Sequence, residues 1–305
     1  METWVLITFA SAFLQNARSA LQKHLKGAMG TTGATFVRFG FGAPFALLYL
    51  AVLLAGLGRP MPSFSPAFFG WAATGGLAQI GATALLVHLF AFRNFAVGTA
   101  YSRTEPAQAA LFALVVLGET VSGGVVAAIL ISVAGVMLIS LARHPAGFAG
   151  LLPALFSRVA GIGLASGAGF GIAAVAYRNA SLALGRTLAE PDFITQAAVT
   201  LAVVIVFQSL LMAAWIARRE PSTFAAMRKA WKPSLLVGFV GATASFGWFM
   251  AMTLQQASVV KALAQVEMLF TYASAVFVFR EHVNARELAG CALIVGGILL
   301  LLYLG

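Results

Sequence analysis

The chain has 305 residues, 61% of them hydrophobic and 9% charged, with a net charge of +10. A soluble domain carries about 25% charged residues, so this chain cannot cover a water-facing surface and is read as an all-α integral membrane protein. Its cations fall in short clusters between apolar runs, which points to the anionic headgroups of the cytoplasmic leaflet rather than to nucleic acid, and its one cysteine, Cys291, excludes a disulfide framework or a thiolate metal site.

Ten apolar runs approach the roughly 20 residues that cross a bilayer core. Their cores lie near 4–22, 34–57, 67–91, 95–117, 122–142, 158–178, 191–217, 234–254, 258–279 and 287–304. The first begins at Trp4 with no basic residue ahead of it, so it is read as a retained helix and not a secretory signal. Ser11, Gln15, Arg18 and Gln22 share one stripe of that run. The second run holds Arg38, and "GLGRPMPSFSP" at 56–66 ends it. The third offers Gln79, Thr83 and His88, the last being the only histidine deep in a span.

The fourth run contains "YSRTEPAQ" (101–108), where Tyr101, Glu105, Gln108 and Phe112 form a stripe. A charge at mid-span costs about 2.5–3.5 kcal/mol on insertion scales, so such residues face protein or water and not lipid. Arg103 and Glu105 would point about 200° apart on a regular helix. One then faces a cavity while the other anchors the helix, unless Pro106 bends the backbone. In the sixth run Gly163, Gly167 and Gly171 recur every four residues and let a neighbouring backbone approach closely. The stretch 218–233, "RREPSTFAAMRKAWKP", reads either as an amphipathic helix on the membrane surface or as a plain basic loop. Run eight adds Thr243, Trp248 and Met252. Run nine adds Lys261 and a stripe of Leu263, Glu267, Phe270 and Ser274.

Cation placement predicts the orientation. Connections after odd-numbered runs hold 13 basic residues: Arg18, Lys23, Lys26, Arg93, Arg143, Arg158, Arg218, Arg219, Arg228, Lys229, Lys232, Arg280 and Arg286. Those after even-numbered runs hold Arg59, Arg178 and Arg186. The positive-inside rule places the first set in the cytoplasm and both termini outside.

The chain also repeats itself. Residues 99–121 and 261–283 align at an offset of 162, which pairs Glu105 with Glu267, Glu119 with Glu281 and, further on, Gly135 with Gly297. "NARSAL" (16–21) matches "NASLAL" (179–184) at an offset of 163. The halves 1–148 and 149–305 thus hold five runs each, and five being odd, the second enters the membrane inverted. Inverted repeats recur in secondary transporters, which bind substrate near the midplane.

The modules "ALFALVVLGETVSGGVVAAILISVAGVMLI" and "ASAVFVFREHVNARELAGCALIVGGILL", with "VRF" at 37–39, resemble the EamA family of the drug/metabolite transporter superfamily. The second copy departs from the pattern with Arg280-Glu281 for Gly-Glu and lacks the counterpart of Pro106. The resemblance implies ten transmembrane helices in a 5+5 inverted repeat and transport of amino acids, drugs, sugars or other metabolites, without naming which. The expected function is therefore a secondary transporter, an exporter of a small polar or zwitterionic metabolite across the cell inner membrane. It would work by alternating access to a central cavity, as a monomer or homodimer and without cofactor or metal.

The residues expected to line the cavity are Tyr101, Arg103, Glu105, Gln108, Gln15, Gln79, His88, Trp248, Lys261, Glu267 and Phe270. Internal pairing of Arg38, Arg103 and Lys261 with the two glutamates is the structural alternative for the charges. A lipid-linked substrate flippase or a non-transporting partner subunit is the alternative function. No catalytic constellation or ATP-binding loop is present in the sequence, so the chain is not read as an enzyme.

Overall fold

The structure is a computed structural model, and it describes residues 2–89, 92, 100–142, 157–277 and 285–304. Among these, all regular structure is helical: α1 Thr3–Gly40, α2 Ala43–Ala51 with a π-turn continuation Val52–Gly56, α3 Pro66–Leu89, α4 Glu105–Leu117, α5 Gly123–Ala142, α6 Arg158–Gly185, α7 Phe193–Arg219, α8 Ser222–Lys229, α9 Trp231–Leu254, α10 Ala257–Leu263, α11 Val266–Phe277 and α12 Ala285–Leu304.

Six helical stretches among the described residues are long and apolar enough to cross a membrane: Gly27–Gly56, Pro66–Leu89, Arg158–Gly185, Phe193–Arg219, Trp231–Leu254 and Ala285–Leu304. The multi-pass, all-helical class stands, but the count of ten spans is not reproduced. Three of the ten predicted runs are broken, run two at residues 41–42 between α1 and α2. Run four turns at residues 103–104, leaving α4 with 13 residues, and run nine turns at 264–265, between α10 and α11.

Local chemistry explains the ends. Gly30, at φ 69° and ψ −173°, kinks α1 in a conformation that is essentially restricted to glycine, so runs one and two join without a loop. Arg18 therefore does not sit in a connection as expected. It is buried inside α1, only 7% exposed. Arg178 likewise lies within α6, where its Nη1 donates to the carbonyls of Met252 (2.8 Å) and Gln255 (2.6 Å) at the C-terminus of α9. Asp192 caps α7 by accepting from the Ile194 N–H at 3.1 Å. Gly118, left-handed at φ 67°, stops α4, and the following Glu119 N–H returns to Ala113 O. The "GE" signature of the first repeat is thus a helix stop. Its counterpart at Arg280-Glu281 lies outside the described residues, as do Arg93 and Arg143.

Two compact units emerge, each drawn from both halves of the sequence. One comprises Met1–Ile80 and Ala176–Gln256, the other Gly81–Val175 and Ala257–Gly305. In the first, α1 packs along α9, and α7 packs against α1, α2 and α9. Within the stretch 218–233, Ser222–Lys229 form the short helix α8, whose Met227 is buried with Leu25, Met29, Val37 and Ile216, while Phe224 and Trp231 stay exposed.

In the second unit α5 packs along α12, and the contact repeats itself at the offset found in the sequence. A Cβ on Gly135 would meet Gly290 O at 2.7 Å and Ile294 Cγ1 at 2.9 Å. One on Gly297 would meet Ala128 O and Ser132 N, each at 2.9 Å. Residues 290 and 294 are 162 positions after 128 and 132, so each helix offers its neighbour the same close approach.

Candidate functional site

The breaks in runs four and nine each lie just ahead of a glutamate, and both are built from tight i→i−3 hydrogen bonds. The Arg103 N–H donates to Ala100 O at 3.1 Å, and the Gln265 N–H donates to Ala262 O at 3.2 Å. These two bonds are again 162 residues apart. At the first break Pro106 occupies the opening turn of α4, where its missing N–H costs nothing. At the second no proline is present, and the Gln265 side chain instead donates to Arg103 O at 3.0 Å. Residues 103 and 265, equivalent in the repeat, therefore touch.

Around this contact the charges pair crosswise. Arg103 Nη1 donates to Glu267 Oε2 at 3.2 Å, and Lys261 Nζ lies 2.8 Å from Glu105 Oε1. Each glutamate of one sequence half is held by a cation of the other. Glu105 and Glu267 also sit in the first turns of α4 and α11, where the helix dipole favours negative charge. Glu267 is buried, and Arg103 has the most exposed side chain of the four, at 36%. Gln108 donates to Thr104 Oγ1 at 2.6 Å, and Ser102 donates to Ser166, which donates on to Ala82 O. Gly167 and Gly171 of the small-residue stripe back onto this break. A Cβ on Gly167 would meet Ser102 O at 2.9 Å, and one on Gly171 would meet Ala109 N at 3.0 Å. The stripe packs α6 tightly against the segment that carries the charges.

The first unit holds a second polar constellation. Tyr177 OH donates to Gly75 O (2.9 Å) and to Gln79 Oε1 (3.0 Å). Gln208 Nε2 donates to Gly76 O (3.1 Å) and Gln79 Oε1 (2.9 Å), and it lies 3.2 Å from Tyr177 OH. Gly75 is required for this approach, because a Cβ there would meet the Tyr177 ring at 2.5 Å. Beside the network is a small cavity lined by Arg38, Gln79, Gln208, Ser245 and Phe249, with room for about one water.

The expected site residues thus divide between the units. Arg103, Glu105, Gln108, Lys261 and Glu267 gather at the helix breaks. Gln79 joins the Tyr177 network, and Gln15 Oε1 accepts from Trp248 Nε1 at 3.0 Å between α1 and α9. Tyr101 is buried against Ala160, Met137 and Leu164, and the turn at 103–104 interrupts the helical register on which the stripe through Glu105 was drawn. Phe270 is partly buried on α11. His88, expected deep in a span, is exposed in the last turn of α3, edge-on to Phe92 at 5.1 Å. Sequence reasoning missed Tyr177 and Gln208. The glycine pair in "TGGLAQ" was the available signal.

Comparison with known proteins adds family and fold. Residues 158–303 match the family model of the EamA-like transporter family. No curated protein matches the chain. A solved crystal structure, described only as a protein, is similar with a TM-score of 0.72 at 20% identity, covering 98% of this chain and 95% of its own. Residues 158–303 thus match the family that the sequence resembles, and the solved structure shares its fold with nearly the whole chain.

Proposed function

We propose that this chain is a secondary transporter of a small polar or zwitterionic metabolite of the amino-acid kind, acting as an exporter in the cell inner membrane. Two inverted five-helix repeats, 1–148 and 149–305, would exchange inward- and outward-open states around the broken helices. The observation that carries this reading is the pair of helix breaks at 103–104 and 264–265, each followed by a glutamate ion-paired across the repeat. Discontinuous helices with charged first turns recur at transporter binding sites, where unwound backbone and half-helix ends meet substrate and coupling ions. The match of residues 158–303 to a transporter family supports the same class and favours no enzymatic activity.

Uptake by purified chain in proteoliposomes tests the reading, with a panel of radiolabelled amino acids as probes. Glu105→Gln keeps the size of the side chain and removes its charge, and it is expected to abolish uptake. Wild-type rates in that variant on both sides of neutral pH would reduce Glu105 to a structural role.

A further inference from the structure

The surface around α8 points to a ligand that is independent of transport. Arg218 and Arg219 end α7, Arg228 and Lys229 end α8, and Lys232 lies in the first turn of α9. All five are exposed, and among the described residues none has a carboxylate within ion-pair distance. The one acid among them, Glu220, accepts a hydrogen bond from Thr32 Oγ1 at 3.1 Å. Helix ends account for four of these cations, because the dipole favours positive charge at a C-terminus. Lys232 is different. At the start of α9 the dipole opposes it, and that turn holds no acidic residue. An anionic group placed there satisfies the ammonium and the dipole together.

Aromatic rings alternate with the cations. Arg219 lies over the Trp215 ring at 5.6 Å and Lys232 over the Trp231 ring at 5.9 Å. On α8, Thr223 and Met227 are buried one turn apart, while the next residue in each turn, Phe224 and Arg228, is exposed. Cations interleaved with exposed rings suit a lipid, whose phosphate meets the charges while the rings enter the acyl boundary. A soluble anion would use the charges alone.

The buried side of α8 lies on the kink in α1. Met227 packs with Met29 and Val37, Phe224 meets Phe36 edge-on at 6.4 Å, and a Cβ on Gly33 would touch Thr223 Cγ2 at 2.9 Å. These residues of α1 flank Gly30, whose φ of 69° makes the kink. A ligand that fixes α8 therefore fixes the kink as well.

We propose that α8 and its flanking cations form a stoichiometric site for an anionic phospholipid, and that the bound lipid holds α8 against the Gly30 kink. Lys232 and Arg228 take the headgroup phosphate, and Phe224 and Trp231 take the acyl boundary.

The test uses the purified full chain in detergent, titrated with phosphatidylglycerol or with phosphatidylcholine of the same acyl chains and read by native mass spectrometry. Wild type should retain one phosphatidylglycerol and bind it at least about tenfold more tightly than phosphatidylcholine, the worth of two cations at an anionic surface. Arg228→Gln and Lys232→Gln should each weaken it by about fivefold. Arg186→Gln, exposed just beyond α6, should leave it unchanged. Phe224→Ser keeps every charge and should also weaken it. Unchanged melting temperatures of the charge variants without lipid exclude misfolding. Hydrogen exchange over residues 27–37 should slow when phosphatidylglycerol is added to wild type and not when it is added to Lys232→Gln. Equal binding of the two lipids, or an equal loss in Arg186→Gln, overturns the site. Protection by glycerol phosphate as strong as by the lipid makes it a soluble-anion site and overturns the lipid assignment. Lipid binding that leaves exchange at 27–37 unaltered overturns the link to the kink.

Discussion

At Glu267 a buried carboxylate is paired with the Arg103 guanidinium, and that pairing sets what substitution does. Breaking a buried pair by removing one partner costs about 3–5 kcal/mol, whereas removing both ions costs far less. Arg103 is partly exposed, so solvent screening brings the cost to or just below the lower end of that range. Glu267→Gln should therefore destabilise by about 2–3 kcal/mol, and Arg103→Gln with Glu267→Gln by clearly less, a coupling that a double-mutant cycle on chemical unfolding in detergent measures. Equal losses for the single and double variants would mean that the pair is incidental. In the Tyr177 network, Gln208→Leu leaves Gln79 short of a donor and buries an apolar side chain among carbonyls. A loss of about 1–3 kcal/mol is expected on the same unfolding scale, and no change would show that water replaces the amide.

The two glutamates were legible because a carboxylate in an apolar run is expensive and has to be accounted for. Tyr177 and Gln208 were not, because a tyrosine or an amide at a span end is ordinary until its partners are known.

Among the elements, the α5–α12 contact is the place where repeat and packing coincide. Gly135 and Gly297 each press on the backbone of the opposite helix, whereas a Cβ on Gly296 meets nothing within 4 Å. Alanine at 135 or 297 would meet backbone atoms of the opposite helix that cannot turn aside, and overpacking of this kind costs about 1–3 kcal/mol. Alanine at 296 removes only glycine's helix penalty and should stabilise by about 0.5–1 kcal/mol. Opposite signs at adjacent positions 296 and 297 are the expected outcome of thermal unfolding in detergent, and equal signs would place the close approach elsewhere.

The α4 break could be read from Pro106, since proline announces a helix start or kink by itself. The α11 break could not. No proline or glycine marks residues 264–265, and the turn is held by a tertiary bond from Gln265 to Arg103 O that no local propensity encodes. The kink at Gly30 hid for another reason, since a glycine between two apolar runs reads as a loop residue and the continuous helix on both sides of it was not legible.

At the scale of the whole molecule, membrane class followed from composition alone, while the count of ten spans is not confirmed among the described residues. Orientation rests on charge bias, and the structure alters that bias in a definite way. Arg18, Lys23 and Lys26 lie inside α1 and Arg178 inside α6, so three cations leave one side and one leaves the other, and the asymmetry survives among the remaining cations. The strongest contribution comes from the α7–α9 connection, where Arg218, Arg219, Arg228, Lys229 and Lys232 gather within fifteen residues. Arg219 stacks over Trp215 (5.6 Å) and Lys232 over Trp231 (5.9 Å), pairing cations with the aromatic residues that favour a headgroup layer. An anionic cytoplasmic leaflet attracts such a cluster by about 1 kcal/mol per residue near the surface.

Ser222, exposed at the start of α8, reports on this face. In a Cys291→Ser background, Ser222→Cys should resist an impermeant maleimide in intact cells and react once the membrane is permeabilised. Ready labelling in intact cells would reverse the orientation, place both termini in the cytoplasm, and turn the proposed exporter into a protein whose basic face meets the outside.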